Sequence, residues 1–329
     1  MKVLIVSEKP SLSHALAAPA RVHWPADEIV FVHAVPYGNI QFMYPRGRKL
    51  SEFPLLSSPK YKLASCEDWK CPPLRVRADG SFESIPMTFD LFHEADLIVN
   101  ACDPDHTGAI AFKVIMQELR GPGSELECPS IKFTSFTDEV LATIFKTMQP
   151  FGETWKDYAA YGEVKRYFDW NWNINGQAIL GLVARHVDVP KNSPPVSKFA
   201  LQLMFALKSK GPMTTGAVCS MANNWGGTGK YTGKVSLGSP ASRGHIVDNL
   251  MVADLLQVTG ETSNLVSLSS KGLRYLELLH PDCEDPDLPF RLDAWCKAGL
   301  DGSKASIDRY LKTFFGKQLR FLAASETTL

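Results

Sequence analysis

The sequence lacks several features that would place it directly in a common functional class. Lysine plus arginine and aspartate plus glutamate each number 35, so the chain has no surplus of either charge. This balance argues against a histone-like mode of nucleic-acid binding but allows a local basic surface. The sequence contains neither a G-x-G-x-x-G motif nor a P-loop. A nucleotide-binding α/β protein unrelated to DNA is therefore the weakest of the functional hypotheses.

Paired cysteines and long apolar runs are also missing. Of the seven cysteines only Cys66 and Cys71 lie close together, and no second ligand pair of the kind used in zinc sites follows them. Reduced thiols in a cytoplasmic protein are the simplest interpretation. The apolar run at residues 2–6 is too short for a signal peptide, and no run approaches the length of a membrane span. We therefore expect a soluble, cytoplasmic protein.

Residues 1–150 alternate between short apolar runs and helical stretches. Continuous apolar runs predict buried strands at residues 2–6, 28–35, 96–102 and 130–136. Strands that alternate with helices are typical of a parallel sheet flanked by helices, so we predict an α/β domain over this half. Within it, residues 36–88 read as a long loop with short strands.

Residues 151–329 follow a different pattern and predict a mainly helical second domain. Residues 158–187 form one long helical stretch, and residues 223–240 form a glycine-rich connection that we expect to be flexible. Helices around a short strand pair follow, an order compatible with a winged-helix arrangement.

Acidic residues follow two of the predicted strands. Glu8 comes after the first strand, and Asp103 and Asp105 come after the third. Ligands of α/β sheets collect at the carboxyl ends of strands, and three carboxylates there would repel one another unless a cation or protons intervened. Mg²⁺ suits such oxygen ligands. Because acids at strand–helix turns also cap helices, the spacing alone leaves both alternatives open.

Two motifs together resemble the Toprim domain of type IA DNA topoisomerases, particularly the topoisomerase III branch. "SEKPS" is similar to the family's E-K-P-S, and "DPDHTGA", residues 103–109, is similar to its D-P-D-R-E-G-E. The resemblance implies that Glu8, Asp103 and Asp105 hold Mg²⁺, and that Glu8 and Lys9 take part in catalysis, with Lys9 near a phosphate. The family's third acid is Ala109 here, which implies a weakened magnesium site.

Further segments resemble the same family in the same order. Arg166-x-x-Asp169-Trp170 with Asn175 is similar to the R-x-x-D-W…N helix that lines the single-strand groove, and residues 237–256 and 285–302 resemble later family segments. This implies that single-stranded DNA lies in a groove next to the Toprim acids, with bases able to stack on Trp170 and Trp172. An amphipathic core helix is the alternative for the first segment. The residues implied to contact DNA are Arg46, Arg48, Lys165, Arg166, Asp169, Trp170, Asn175, Ser239, Ser242 and Arg243.

The chain lacks the family's Y-P-R-T-D tyrosine motif and the arch that carries it. Only residues 186–236 separate the flanking motifs, too few for an arch around a duplex. Tyr44, in "MYPRGR", lacks the following Thr-Asp and lies in the first predicted domain. Tyr231, near Lys230 and Lys234, lies in the matching interval and is a candidate nucleophile or part of a phosphate-binding flap.

The sequence therefore predicts a topoisomerase-like protein that holds single-stranded DNA beside a Toprim acidic site and does not relax DNA alone. A partner chain could carry the missing arch. The alternative is an active enzyme, either a minimal topoisomerase or nickase that uses Tyr231, or a Toprim nuclease that uses the metal.

Overall fold

The computed structural model describes residues 1–36, 38–133, 135–238, 240–259 and 264–326. The chain divides into two compact units: unit 1 comprises Met1–Met43 and Pro59–Val164, and unit 2 comprises Tyr44–Ser58 and Lys165–Leu329. The division thus falls at Val164 rather than at residue 150. The segment Tyr44–Ser58, which the sequence places in the first domain, belongs to the second unit.

Unit 1 contains nine short strands and the helices that cover them, within the part of the chain that the structure describes. The strands are β1 Lys2–Ser7, β2 Glu28–His33, β3 Ile40–Phe42, β4 Tyr61–Leu63, β5 Leu74–Val76, β6 Phe82–Ser84, β7 Leu97–Ala101, β8 Pro129–Ser130 and β9 Gln149–Pro150. The helices are α1 Pro10–His23, α2 Asp90–His93, α3 His106–Arg120, α4 Asp138–Thr143 and α5 Phe151–Thr154, together with the first part of α6 Lys156–Asn175.

Seven of these strands form one sheet in the order β6-β5-β2-β1-β7-β8-β9, and β3 pairs with β4 separately. The four central strands β2, β1, β7 and β8 run parallel, while β5, β6 and β9 pair antiparallel at the edges. This confirms the predicted α/β sheet flanked by helices. The predicted strand over residues 130–136 is wrong in length, because only Pro129–Ser130 pairs as a strand in the described part of that run.

The central strand β1 is apolar throughout because both of its faces are covered. Val3 and Ile5 pack with Leu12 and other residues of α1 on one face. Leu4 packs on the opposite face in a cluster of side chains that includes Phe112 of α3. A strand buried on both faces gives a continuous apolar run rather than an alternating one, and this is why the sequence predicts it well.

His33, the last residue of β2, is a buried histidine whose ring contacts a serine. Its Nε2 atom lies 2.9 Å from the hydroxyl oxygen of Ser13. Burial lowers the pKa of His33 from 6.5 to about 4, against a weaker opposing contribution from the backbone at Pro72. Because the pKa in the folded protein lies below the unfolded value, the unfolded chain binds this proton first as the pH falls.

The stability that depends on neutral His33 should be fully present above pH ~6.5 and lost as the pH falls toward ~4. Between about pH 7.5 and 5 we expect a loss of about 2 kcal/mol in the free energy of unfolding from this group. Urea unfolding of the wild type and His33→Gln at both pH values isolates the contribution. An equal loss in both proteins would show that His33 is not its source.

Unit 2 is mainly helical, as the sequence predicts. Helix α6 continues through a π-helical turn, Gly176–Leu180, into α7. The later elements are α7 Gly181–His186, α8 Lys198–Lys210, β10 Met213–Thr214, α9 Thr215–Asn223, α10 Pro240–Val252, β11 Leu256–Thr259, β12 Leu265–Leu268, α11 Ser270–Glu277 and α12 Leu288–Glu326. In the described residues, no helix has the length and hydropathy needed to cross a membrane.

The middle of unit 2 has a winged-helix arrangement. Its elements follow the order α8-β10-α9-α10-β11-β12, and its three strands pair in the order β10-β12-β11. Helix α10 is the second helix of the helix pair that precedes the hairpin. In helix-turn-helix proteins the second helix lies in the major groove, with its first residues near the bases.

Candidate functional site

The ends of β1 and β7 bring three predicted site residues together in unit 1. Glu8 follows β1, Asp103 follows β7, and these strands are parallel neighbours in the sheet. The backbone N–H of Asp103 donates to Oε1 of Glu8 at 3.3 Å. The Lys9 ammonium donates to Oδ2 of Asp103 at 3.0 Å. Glu8, Lys9, Asp103 and Asp105 are called the acidic cluster below.

The charges of the acidic cluster change the pKa values of Glu8 and Lys9. Partial burial, and after it the charges of Asp103 and Asp105, raise the pKa of Glu8 to about 8. The hydrogen bond to Asp103 raises the pKa of Lys9. A half-buried acid beside two others costs folding energy unless a proton or a cation neutralises it.

Asp105 performs the helix-capping role that the sequence left open. Its Oδ1 atom accepts hydrogen bonds from the backbone N–H of Thr107 at 2.7 Å and of Gly108 at 2.9 Å, at the start of α3. Ala109, where the resembled family has a third acid, is wholly buried in the core beneath the sheet. An acid at that position would enter an apolar layer, and this explains why alanine suits the packing of α3.

The acidic cluster leaves few carboxylate oxygens free for a metal ion. Glu8 and Asp103 present the hard oxygen donors that Mg²⁺ prefers, but Asp105 uses Oδ1 in the cap and Asp103 pairs with Lys9. Across the described ranges no group of three or more His, Cys, Asp or Glu side chains is placed to hold a metal. A metal ion at this place would have one or two protein carboxylates and would take its other ligands from water or phosphate.

Asp105→Ala and Asp105→Asn separate the capping role from the charge. Alanine removes both hydrogen bonds to the N-terminus of α3 and should lower the free energy of unfolding by about 1 kcal/mol. Asparagine keeps an acceptor oxygen and should remain within a few tenths of a kcal/mol of wild type. Urea unfolding without added divalent ions measures both. Equal losses in the two variants would mean that the charge, and not the cap, stabilises the helix.

In unit 2, Asp169 of α6 lies among cations. Burial by itself would raise the pKa of Asp169, but the ammonium groups of Lys198 and Lys165 and the guanidinium of Arg166 together lower it below its usual value. Lys198 also forms an ion pair with Asp169. The family resemblance implies DNA contact by Lys165, Arg166 and Asp169. In the structure the two cations lie near the carboxylate of Asp169.

The two tryptophans predicted to stack with bases are buried instead. Trp170 is 1% exposed and Trp172 is 2% exposed. The ring of Tyr44 stacks on Trp170 with centroids 5.0 Å apart and planes at 22°. The indole N–H of Trp170 donates to the hydroxyl of Ser57 at 2.9 Å. The prediction of open stacking faces is corrected: these rings are packed as the core-helix alternative requires.

Asn175 and Asn171, one helical turn apart on α6, hold an extended stretch of the segment Tyr44–Ser58. The side chain of Asn175 accepts from the N–H of Leu55 at 2.7 Å and donates to its carbonyl oxygen at 2.8 Å. Asn171 does the same to Ser57, at 2.8 and 3.0 Å. The predicted DNA contact of Asn175 is therefore replaced by a structural role. Sequence reasoning missed Asn171, although the i, i+4 asparagine pair was a visible signal.

This arrangement places two further predicted cations in unit 2. Arg46 and Arg48 are exposed, and Arg48 forms an ion pair with Glu52 at 3.0 Å. Tyr44, in the same segment, accepts a hydrogen bond from Asn173, and burial raises its pKa. A half-buried phenol with a raised pKa is a poor nucleophile.

Of the remaining sequence-predicted DNA contacts, the structure describes the side chain of Arg243 alone. Arg243 is half-buried in the first turns of that helix, in the winged-helix part of unit 2. Ser239 lies outside the described residues, and so does the side chain of Ser242.

The loop that carries Tyr231 is held by contacts at its base and its centre. Trp225 and Val235 form a β-bridge across its base, and Thr228 donates to Asp287 from its backbone N–H at 2.7 Å and its hydroxyl at 2.5 Å. The Tyr231 ring stacks on Phe290 at 5.4 Å between centroids. Asp287 thus holds the centre of the connection that the sequence predicts to be flexible, and its mobility stays a prediction.

Comparisons with known proteins assign no family to the chain. No protein-family model matches it, and no curated protein matches its sequence. Among solved structures the chain is similar to full-length topoisomerase I from Thermotoga maritima, with 14% sequence identity and a TM-score of 0.39. That similarity covers 63% of this chain and 30% of the other.

Proposed function

We propose that this protein binds single-stranded DNA through unit 2 and uses the acidic cluster of unit 1 to hold Mg²⁺ together with a DNA phosphate. The observation that carries the proposal is the meeting of Glu8, Lys9 and Asp103 at the ends of two adjacent strands. A half-buried acid beside two others must be neutralised by a proton or a cation, and Mg²⁺ with a phosphate would balance the cluster. When bound, the ion would neutralise phosphate charge, with Lys9 contacting a phosphate oxygen.

The DNA strand in this proposal is held by its phosphates rather than by stacking. Arg46 and Arg48 are exposed in unit 2, which also contains Lys165, Arg166 and Arg243. Phosphate contacts supply most of the affinity of nonspecific nucleic-acid binding and carry no base sequence. Because Trp170 is buried, we expect strong salt dependence and little base preference.

Strand passage is not part of the proposed function. Of residues 186–236, helices α8 and α9 with strand β10 already belong to the winged-helix part. The residues of that interval outside these elements are too few to build an arch around a duplex. We therefore propose that a partner chain supplies the arch and its tyrosine.

Charge reversal tests where the DNA lies. The double variant Arg46→Glu/Arg48→Glu and the single variant Arg243→Glu should each weaken binding of a fluorescent oligonucleotide by at least about 10-fold at low salt. Lys297→Glu, at a side chain that is 70% exposed on α12, is the matched control and should change affinity by less than about 2-fold. Equal effects of all three would show that net charge alone, and not this surface, governs binding.

An enzyme that uses Tyr231 is the second candidate, favoured by one contact. The Lys230 ammonium lies 5.8 Å from the centroid of the Tyr231 ring, so a cation is present beside the phenol. Supercoiled plasmid incubated with the protein and Mg²⁺, then denatured, would yield a covalent adduct that Tyr231→Phe abolishes. A nuclease would instead cut DNA without an adduct, and Asp103→Asn would remove that activity. We expect neither product.

A further inference from the structure

Unit 2 contains a cavity to which the proposed DNA binding assigns no role. Its volume is about 330 Å³, within the range of small-molecule sites. The wall is mainly apolar and includes Leu180, Val189 and Val196. The cavity wall also includes residues of the π-helical turn Gly176–Leu180. Such a turn is a rare geometry that occurs mostly at functional sites.

Tyr275 of α11 lines this cavity and is an unexplained polar group. The residue is 0% exposed, and within the described chain its hydroxyl has no hydrogen-bond partner. Burying a hydroxyl without a partner costs about 1–3 kcal/mol. Burial also raises the pKa of Tyr275, so the hydroxyl keeps its proton and can donate. A ligand atom that accepts this hydrogen bond would remove the cost.

The charged residues of the cavity are all cationic. Arg185 and Lys191 line it and are exposed, which places their charges at its solvent side. No acidic side chain is among the described lining residues. The cavity thus combines an apolar wall, a cationic mouth and one buried hydroxyl.

We propose that this cavity binds a small aromatic carboxylate that carries a second polar atom. The carboxylate pairs with Arg185 and Lys191, the ring packs on the apolar wall, and the second polar atom accepts the hydrogen bond of Tyr275. In this proposal the cavity is a small-molecule site of unit 2, in addition to the DNA contacts.

Two probes and two variants of the full chain test this assignment. The probes are 6-hydroxy-2-naphthoate and 2-naphthoate, which differ only in the hydroxyl group that would meet Tyr275. Wild type should bind the hydroxylated probe about 3- to 10-fold more tightly, the worth of one hydrogen bond. Tyr275→Phe should abolish this preference and keep or raise the melting temperature, because it removes an unsatisfied hydroxyl. Arg185→Gln should weaken both probes by at least about 5-fold.

Fluorescence titration gives the affinities, and each outcome decides the proposal. Loss of the preference in Tyr275→Phe together with weaker binding in Arg185→Gln supports it. Absence of binding of both probes at millimolar concentration overturns it. Binding that neither variant alters overturns it as well, because the probes would then occupy another place.

Discussion

Gly108→Ala should lower the free energy of unfolding by about 3 kcal/mol, at the upper end of the cost of overpacking. A Cβ atom at residue 108 would lie 2.3 Å from the backbone oxygen of Asp103 and 2.4 Å from Oε1 of Glu8. The backbone oxygen cannot move without displacing the turn after β7, which orders the acidic cluster. Urea unfolding measures the loss in the free energy of unfolding. We also expect the substitution to displace the residues of the acidic cluster.

Gly216→Ala is the matched control for this prediction. Gly216 lies in α9, and a Cβ atom there would have nothing within 4 Å. Alanine is the better helix former by about 0.5–1 kcal/mol, so this variant should be unchanged or more stable. Should Gly108→Ala behave like Gly216→Ala, the close packing of α3 against the acidic cluster would be refuted.

Asn171→Ala should cost about 2–4 kcal/mol, because it leaves several backbone groups without their partner. The Asn171 side chain is wholly buried and bonds both backbone groups of Ser57 and the carbonyl oxygen of Tyr167. The segment Tyr44–Ser58 should then detach more readily from α6. Urea unfolding gives the stability, and trypsin cleavage after Arg46 and Arg48 should become faster.

Asn173→Ala provides the control on the same helix. Asn173 is only half-buried and donates one hydrogen bond, to the hydroxyl of Tyr44 at 2.8 Å. Loss of a single such bond should cost about 1 kcal/mol. If Asn173→Ala were as costly as Asn171→Ala, or if trypsin sensitivity stayed unchanged in Asn171→Ala, the asparagine pair would not be what holds the segment.

The sequence was sufficient for the parts of the fold that depend on local pattern. Strands β1 and β7 are buried on both faces and so appear as continuous apolar runs. Once these strands are parallel neighbours, the placement of Glu8 beside Asp103 follows from the carboxyl ends of the sheet. The winged-helix order of unit 2 was likewise visible as helices around a strand pair.

Features that depend on distant partners could not be predicted. The segment Tyr44–Ser58 joins unit 2 through asparagines more than a hundred residues later in the chain. Periodicity shows that Trp170 lies on an apolar face but not that Tyr44 covers it. The glycines around Tyr231 indicated mobility, whereas Asp287, far along the chain, fixes Thr228. In each case a long-range hydrogen bond or ring contact overrides the local signal.

Salt dependence of binding to single-stranded DNA tests the central claim most directly. With a fluorescent strand of about 20 nucleotides, anisotropy titrations should show binding at about 50 mM salt and a linear fall of log K with log salt. Three to five phosphate contacts predict a slope of about −2 to −3.5, with little difference between base compositions. Absence of binding at the lowest salt, or an affinity that salt does not change, would contradict the proposed function.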